Sequence, residues 1–331
     1  MNKYLEAKKR HHVVWANYLL RWSKDRKNVF YTTKTGKIAH DSVKAIAVDD
    51  YFYKLSFLTP THIEIIKAYS EQCSDQQQQL HLNILNQFLT IQTTESKFRK
   101  RNIRDIRSEN MIHALKCNAL ENLHSIHERS ASPILAALAE GELDVLQDQQ
   151  NMIAFMFFLG HQMVRTKTFR DGVAKSLPRR NDSEINHANA TTGAWWFLSY
   201  LLGMNVGTYF YSSIHDNTHA LLINNTPVPF ITSDQPIVNV HTCVSETEFV
   251  VPLNADCFYP ISPTVAYIIC DSNRFMPGKN EVDEATAKEF NTKVAAQAML
   301  HIIGNTKEAI QPFQQFICRR NKKIPNRAKG G

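Results

Sequence analysis

A chain of 331 residues that is 43% hydrophobic and 21% charged can bury one large core or two closely packed ones, which excludes wholesale disorder. Its 11 glycines form neither GxGxxG nor GxxxxGKS/T, so a glycine-rich nucleotide loop does not organise the fold. The formal charge of +7 is moderate and unevenly spread.

Two stretches hold much of that charge. Residues 97–107 carry Lys97, Arg99, Lys100, Arg101, Arg104 and Arg107 against Asp105 alone. The segment 319–329 carries Arg319, Arg320, Lys322, Lys323, Arg327 and Lys329 with no acid. Such runs attract polyanions by counterion release, which makes nucleic acid a candidate partner. A solvated helix face and a frayed tail are the commoner origin of charge runs.

Six scattered cysteines without a CxxC pair suit neither a zinc framework nor a disulfide scaffold, and point to a reducing cytoplasm. The basic N-terminus lacks an apolar signal core. The longest apolar runs, near 152–160 and 194–204, fall short of the ~20 residues of a membrane helix. A soluble, cytoplasmic protein without cofactor or membrane partner is expected.

Along the chain, Lys8 to Trp22 places two adjacent histidines behind basic residues and ahead of an apolar run. Residues 28–42 read as two short strands about a turn at Gly36. From Pro60 the spacing turns helical, with Thr61 as expected cap and Glu64 completing a capping box. In 110–128, Ile112, Leu115, Ala119, Leu123 and Ile126 form one apolar stripe. Residues 132–177 predict a short helix followed by a long one, and 190–213 a helix apolar on most faces. After residue 215, short β-rich segments punctuated by Pro and Asn predict strands. A last amphipathic helix is capped by Asp283 and stopped by Gly304. The sum is α+β, mostly helical with an N-terminal hairpin and a late small antiparallel sheet. One domain is expected over 1–312, or two packed lobes of about 1–210 (mainly helical) and 211–312 (sheet plus helix), before a basic tail, 313–331.

Candidate chemistry starts at Arg165. It follows an apolar helix and shares a face with Gln162 and His161, so it needs an acid, a carbonyl or an anionic ligand. Asp234 ends a strand where Pro236 breaks the ladder, beside Ser233. It is a turn former or a carboxylate presented to a cleft. Consecutive residues on a strand point to opposite faces, so His11 and His12 do not chelate one metal side by side. With no HExxH or HxH in the chain, a metal site is not expected. One histidine beside Lys8, Lys9 and Arg10 fits metal-independent phosphodiester chemistry better. His124 with His127, and His215 with His219, carry no pattern that assigns a role.

The combined pattern resembles the microbial family called domain of unknown function 4238. The resemblance rests on Lys9, Arg10, His11 and His12 with Tyr18, Leu19 and Trp22, and on the acidic-to-aromatic run 49–53. It continues through Gln162, Arg165 and Thr166, the segment Phe230 to Pro236, the corner Pro260, Ser262 and Pro263, and Asn291. It spans residues 8 to about 303 and implies that His11 or His12, Gln162, Arg165, Ser233, Asp234 and Asn291 are recurrent polar residues drawn from distant segments. Together these features make an enzyme on a phosphate-bearing substrate the first expectation, a metal-independent ribonuclease-like toxin or defence effector. In it, His11 or His12 moves a proton, Asp234 orients it and Arg165 with Gln162 holds the phosphate. The basic stretches steer nucleic acid. Two rivals are a helical binding or sensor protein whose His–Arg–Asp network is structural, and a nucleic-acid binder without chemistry.

Overall fold

The computed structural model describes residues 6–101, 105–244 and 253–317. The segment 319–329 and residues 102–104 of the first basic stretch lie outside the described residues. The α+β architecture is as the sequence predicts. Strand β1 (Arg10–His12) leads into a short helix, α1 (Ala16–Leu19), and a hairpin of β2 (Asn28–Thr32) and β3 (Ile38–Ser42). The hairpin turn puts Gly36 at φ 78°, a left-handed value that glycine takes without a Cβ clash. Strand β4 (Val48–Asp50) then returns to pair antiparallel with β1. The apolar run after the histidines anchors this N-terminal region. Tyr18 donates to the Pro260 carbonyl at 2.7 Å, and Trp22 Nε1 donates to the Phe230 carbonyl at 2.9 Å.

Helix α2 (Pro60–Ser70) is capped two residues earlier than the sequence predicts. Thr59 accepts the His62 N–H, and His62 Nδ1 accepts the Thr59 N–H. The shift follows from Pro60, which suits the first helical position because its missing N–H has no partner there anyway. Helix α3 (Asp75–Lys100) precedes α4 (Ile106–Ala139), which continues through Pro133. The expected stripe on α4 faces the core only in part: Ala119 and Leu123 pack against it, while Leu115 and Ile126 are 45% and 49% exposed. The buried face carries Ala114, Cys117, Leu120, Asn118 and His124. Its polar members are invisible to a reading that follows apolar residues.

The expected long helix is two, α5 (Gln149–Val164) and α6 (Lys167–Ser176), split because the Thr166 side chain accepts the Phe169 N–H and starts a new helix. After α7 (Asp182–Gly193) comes α8 (Trp195–Ser212), central as predicted, with residues 195–201 all buried. Helices α5 and α8 approach closely through Gly160, Gly203 and Gly207. A Cβ on Gly160 would run into the backbone of the other two.

The late strands are β5 (Thr218–Ile223), β6 (Thr232–Ser233), β7 (Val238–Asn239), β8 (Asp256–Pro260), β9 (Val265–Cys270) and β10 (Gly278–Glu281). Five of them form a sheet in the order β10-β5-β9-β8-β7, antiparallel except where β10 joins β5. Alternation along the strands buries both faces. Leu221, Tyr259, Tyr267 and Ile269 pack in the core of α4 and α5, while Leu222, Phe258 and Ile268 pack with α9 (Glu284–Gln297). Asp283 caps α9, but the helix ends at Gln297 and not at Gly304. Asp234 accepts the N–H groups of Met299, Leu300 and His301, turning the chain out of the helix. Gly304 then closes β11 (Ile302–Gly304), which inserts between β2 and β6 in the sheet order β3-β2-β11-β6. A short α10 (Lys307–Ile310) follows. Among the described residues, no helix is long and apolar enough to cross a membrane.

Candidate functional site

Strand β1 gives its two histidines different fates. His11 is fully buried, stacks on Tyr53 at 5.6 Å, accepts the Tyr53 N–H at Nδ1 (2.8 Å) and donates from Nε2 to the Lys8 carbonyl (3.1 Å). With both nitrogens committed to one tautomer, it braces the strand, and burial lowers its pKa. His12 is half-buried, and its Nε2 has no hydrogen-bond partner among the described residues. Burial, then the charges of Arg165 and Arg10, push its pKa down to about 4. Lys9 and Arg10 lie on the exposed side, where Lys9 pairs with Asp50 at 3.1 Å and Arg10 reaches the Ala45 carbonyl at 3.5 Å.

Arg165, 2% exposed, sits at the end of α5 and finds its carboxylate on α4. It pairs with Glu128 at 2.8 Å and donates to Gln162 Oε1 at 2.7 Å, while Gln162 Nε2 donates to the Val13 carbonyl at 3.3 Å. Burial opposes the guanidinium charge, but Glu128, Tyr53 and Glu121 outweigh it and the pKa is raised. The cation is therefore permanent. Gln162 and Arg165 are thus brought together, with His12 in the field of the Arg165 charge.

Helix α4 supplies the rest of that neighbourhood. Glu121, His124 and Glu128 are spaced i, i+3, i+7 and share one helical face, with His127 beside it. The His124 ring lies 4.7 Å from Tyr53 and 5.5 Å from His161, and His127 stacks on His161 at 4.2 Å. His127 Nε2 is 3.2 Å from the Tyr200 hydroxyl. His161 is pressed against α8, where a Cβ on Gly203 would overlap its Nδ1. Burial first, and Arg165 among the charges, lowers the pKa of His127 to about 4 and drives His124 and His161 well below the usual histidine value. These rings are therefore neutral at pH 7. Glu121 moves the other way. Burial raises it to about 7, against the pull of Arg165. Both ring nitrogens of His124 and of His161, together with Arg165 Nε, have no hydrogen-bond partner among the described residues.

The remaining expected residues lie elsewhere and are spent on backbone. Both Asp234 oxygens take N–H groups from 299–301, and none of its hydrogen bonds among the described residues reaches His12 or Arg165. Burial raises its pKa in spite of nearby His301 and those N–H groups. Ser233 donates to the Gln235 carbonyl and accepts the Gln235 N–H. Asn291 accepts the Ile231 N–H at 3.0 Å and donates to the Pro229 carbonyl at 2.9 Å, pinning that segment to α9. One link joins the two regions: Gln235 bonds the Thr166 hydroxyl and the Met163 carbonyl. Glu121, His124, His127, Glu128 and Gln235 carry no role in the sequence expectation. The acid–histidine spacing on a helix was the available signal for the first four. Among the described residues, no three His, Cys, Asp or Glu side chains are arranged to hold a metal ion.

No curated protein and no solved structure matches this chain. A family model described as "Protein of unknown function (DUF4238)" matches residues 10–308, and since this is nearly the whole chain, the protein belongs to that family.

Proposed function

We propose that the protein is a cytoplasmic enzyme that acts on a phosphate-bearing substrate by metal-independent, ribonuclease-like acid–base chemistry centred on Arg165. One observation carries this reading. Neutral imidazoles with unpartnered nitrogens stand beside a carboxyl held near pH 7 and a permanent guanidinium. A structural network satisfies its buried polar groups, whereas a catalytic one leaves groups open to substrate and sets their pKa values apart. In this reading the neutral His12 takes the proton of a ribose 2′-hydroxyl as its oxygen bonds to phosphorus. Protonated Glu121 gives a proton to the 5′-oxygen as the P–O bond breaks. Arg165 balances the charge on the phosphorus oxygens. Cleavage of cellular RNA by such a centre is the basis for a toxin or defence-effector role.

The test is incubation of purified protein with RNA, DNA and nucleotides, with and without EDTA. The expected result is cleavage of RNA but not of its 2′-deoxy counterpart, insensitive to EDTA and abolished in Glu121→Gln and His12→Gln. Intact substrates throughout overturn the proposal. A second reading, a non-catalytic binding or sensor protein, is favoured by the depth of the cluster: Arg165, His124 and His161 are 2%, 2% and 1% exposed. Under it, the same variants lower the melting temperature by many degrees, whereas the catalytic reading has them fold normally.

A further inference from the structure

The sheet ordered β3-β2-β11-β6 ends at β3, whose outer side is paired with no strand among the described residues. Thr33 N–H donates to the Lys37 carbonyl at 2.7 Å, and Val43 N–H donates to the Lys27 carbonyl at 3.0 Å. Bonds between antiparallel strands recur at every second residue. Lys37, Ala39, Asp41 and Val43 therefore turn their main chain toward β2, and Ile38 and His40 turn theirs outward. Beyond them the edge closes, because Asp41 Oδ1 accepts the Ser42 N–H at 2.6 Å.

An open strand edge is a template for another chain, and most are blunted by shortness, by charge or by a covering segment. Strands β6 and β7, which end the two sheets on their other sides, are two residues long. In β10 the Asn280 side chain bonds back to Met276 and Gly278. Strand β3 carries charges too, but of opposite sign and in matched places. Lys37 and Asp41 stand two residues either side of Ala39, so the three side chains share a face. Both charged residues are exposed, and neither enters an ion pair among the described residues. An edge of one sign would repel its own copy, whereas this one is its own complement. About a two-fold axis at Ala39, each Lys37 lies opposite the Asp41 of the other copy, and the smallest side chain of the strand meets itself. The same register sets Ile38 opposite His40, so their outward N–H and C=O groups are exchanged across the axis.

We propose that β3 is a self-association edge, through which two copies of this chain pair antiparallel about Ala39 and join their sheets into one. The contact is small, so the dimer is weak and concentration-dependent. It is separate from the Arg165 cluster and does not depend on the chemistry proposed there.

Sedimentation velocity of the purified full chain over a concentration series tests this, with hydrogen exchange read at both ends of the series. The expected result is a monomer–dimer equilibrium in which the Ile38 and His40 amides gain protection as the dimer fills. Lys37→Asp and Asp41→Lys each set like charges opposite one another and are expected to weaken the dimer by about tenfold or more. Mixing those two variants restores opposite charges across the axis and is expected to recover association, as is the double variant Lys37→Asp/Asp41→Lys. If Asp41→Lys fails to fold without its bond to Ser42, Lys37→Asp carries the test alone. A monomer at every concentration overturns the proposal, as does a dimer that leaves the Ile38 and His40 amides unprotected. So does a dimer that folded Lys37→Asp forms as tightly as the unaltered chain.

Discussion

Two regions of this molecule bury polar side chains, and they treat them in opposite ways. In the corner formed by Asp234, Ser233 and Asn291, the polar side chains bond backbone groups of neighbouring segments. Around Arg165, the ion pair to Glu128 is made, but His12, His124 and His161 keep nitrogens without partners among the described residues. Apart from half-buried His12, both sets of side chains are buried, so burial alone does not separate scaffold from site. Satisfaction does. The corner positions strands, and the cluster holds uncommitted donors and acceptors at a cost that the fold carries elsewhere.

The comparison breaks most visibly at its one shared ingredient, a buried charge. Arg165→Met strands Glu128 and is expected to cost about 3–5 kcal/mol in urea denaturation. Adding Glu128→Gln should recover much of that, and a single-variant loss below about 1 kcal/mol contradicts the ion pair's role. In the satisfied corner, Asp234→Ala orphans three backbone N–H groups and should cost about 2–4 kcal/mol by the same assay.

The pH dependence comes next in size. His12 and His127 have folded pKa values of about 4 against an ordinary 6.5, so the unfolded chain binds more protons between those values. Their contribution is complete above pH 6.5 and is lost as pH falls toward 4, by about 1–2 kcal/mol each after discounting for partial exposure. Glu121 opposes this, since its raised value of about 7 weakens folding as pH rises from 4.5 to 7. Thermal melts should show stability climbing from pH 4 to 6.5, and a flat profile would count against neutral buried imidazoles.

Smaller, and sharper as a discriminator, is a pair of ring swaps. His124→Phe removes nitrogens that bond nothing and should change stability by less than about 1 kcal/mol. His11→Phe breaks two bonds that brace β1 and should cost about 2 kcal/mol. Equal losses would erase the distinction between the regions. Lys9→Ala, at an exposed pair with Asp50, should leave the melting temperature unchanged.

Much of the architecture was legible because it depends on local rules: Gly36 in its turn, Asp283 as a cap, Pro and Asn punctuating the β-rich late segments. The errors have physical causes. On α4 the apolar residues Leu115 and Ile126 suggested a face, but the buried face also carries Asn118 and His124, and His124 and Glu128 meet His161 and Arg165 across the helices. Ion pairing across helices leaves no period in one sequence. Gln162 and Arg165 were readable as a pair because they share a helix. The partner of Arg165 was not, because Glu128 and Asp234 are equivalent acids until the chain folds.

Strand β11 has a consequence for how the chain is made. Residues 302–304 pair on one side with 30–31 and on the other with 232–233, so the first hairpin waits for a segment some 270 residues downstream. Closing so long a loop is slow. During synthesis β2 emerges before residues 302–304 and presents an open edge until they have left the ribosome. Newborn chains are therefore exposed along that edge, and assembly of this sheet is among the last events of folding.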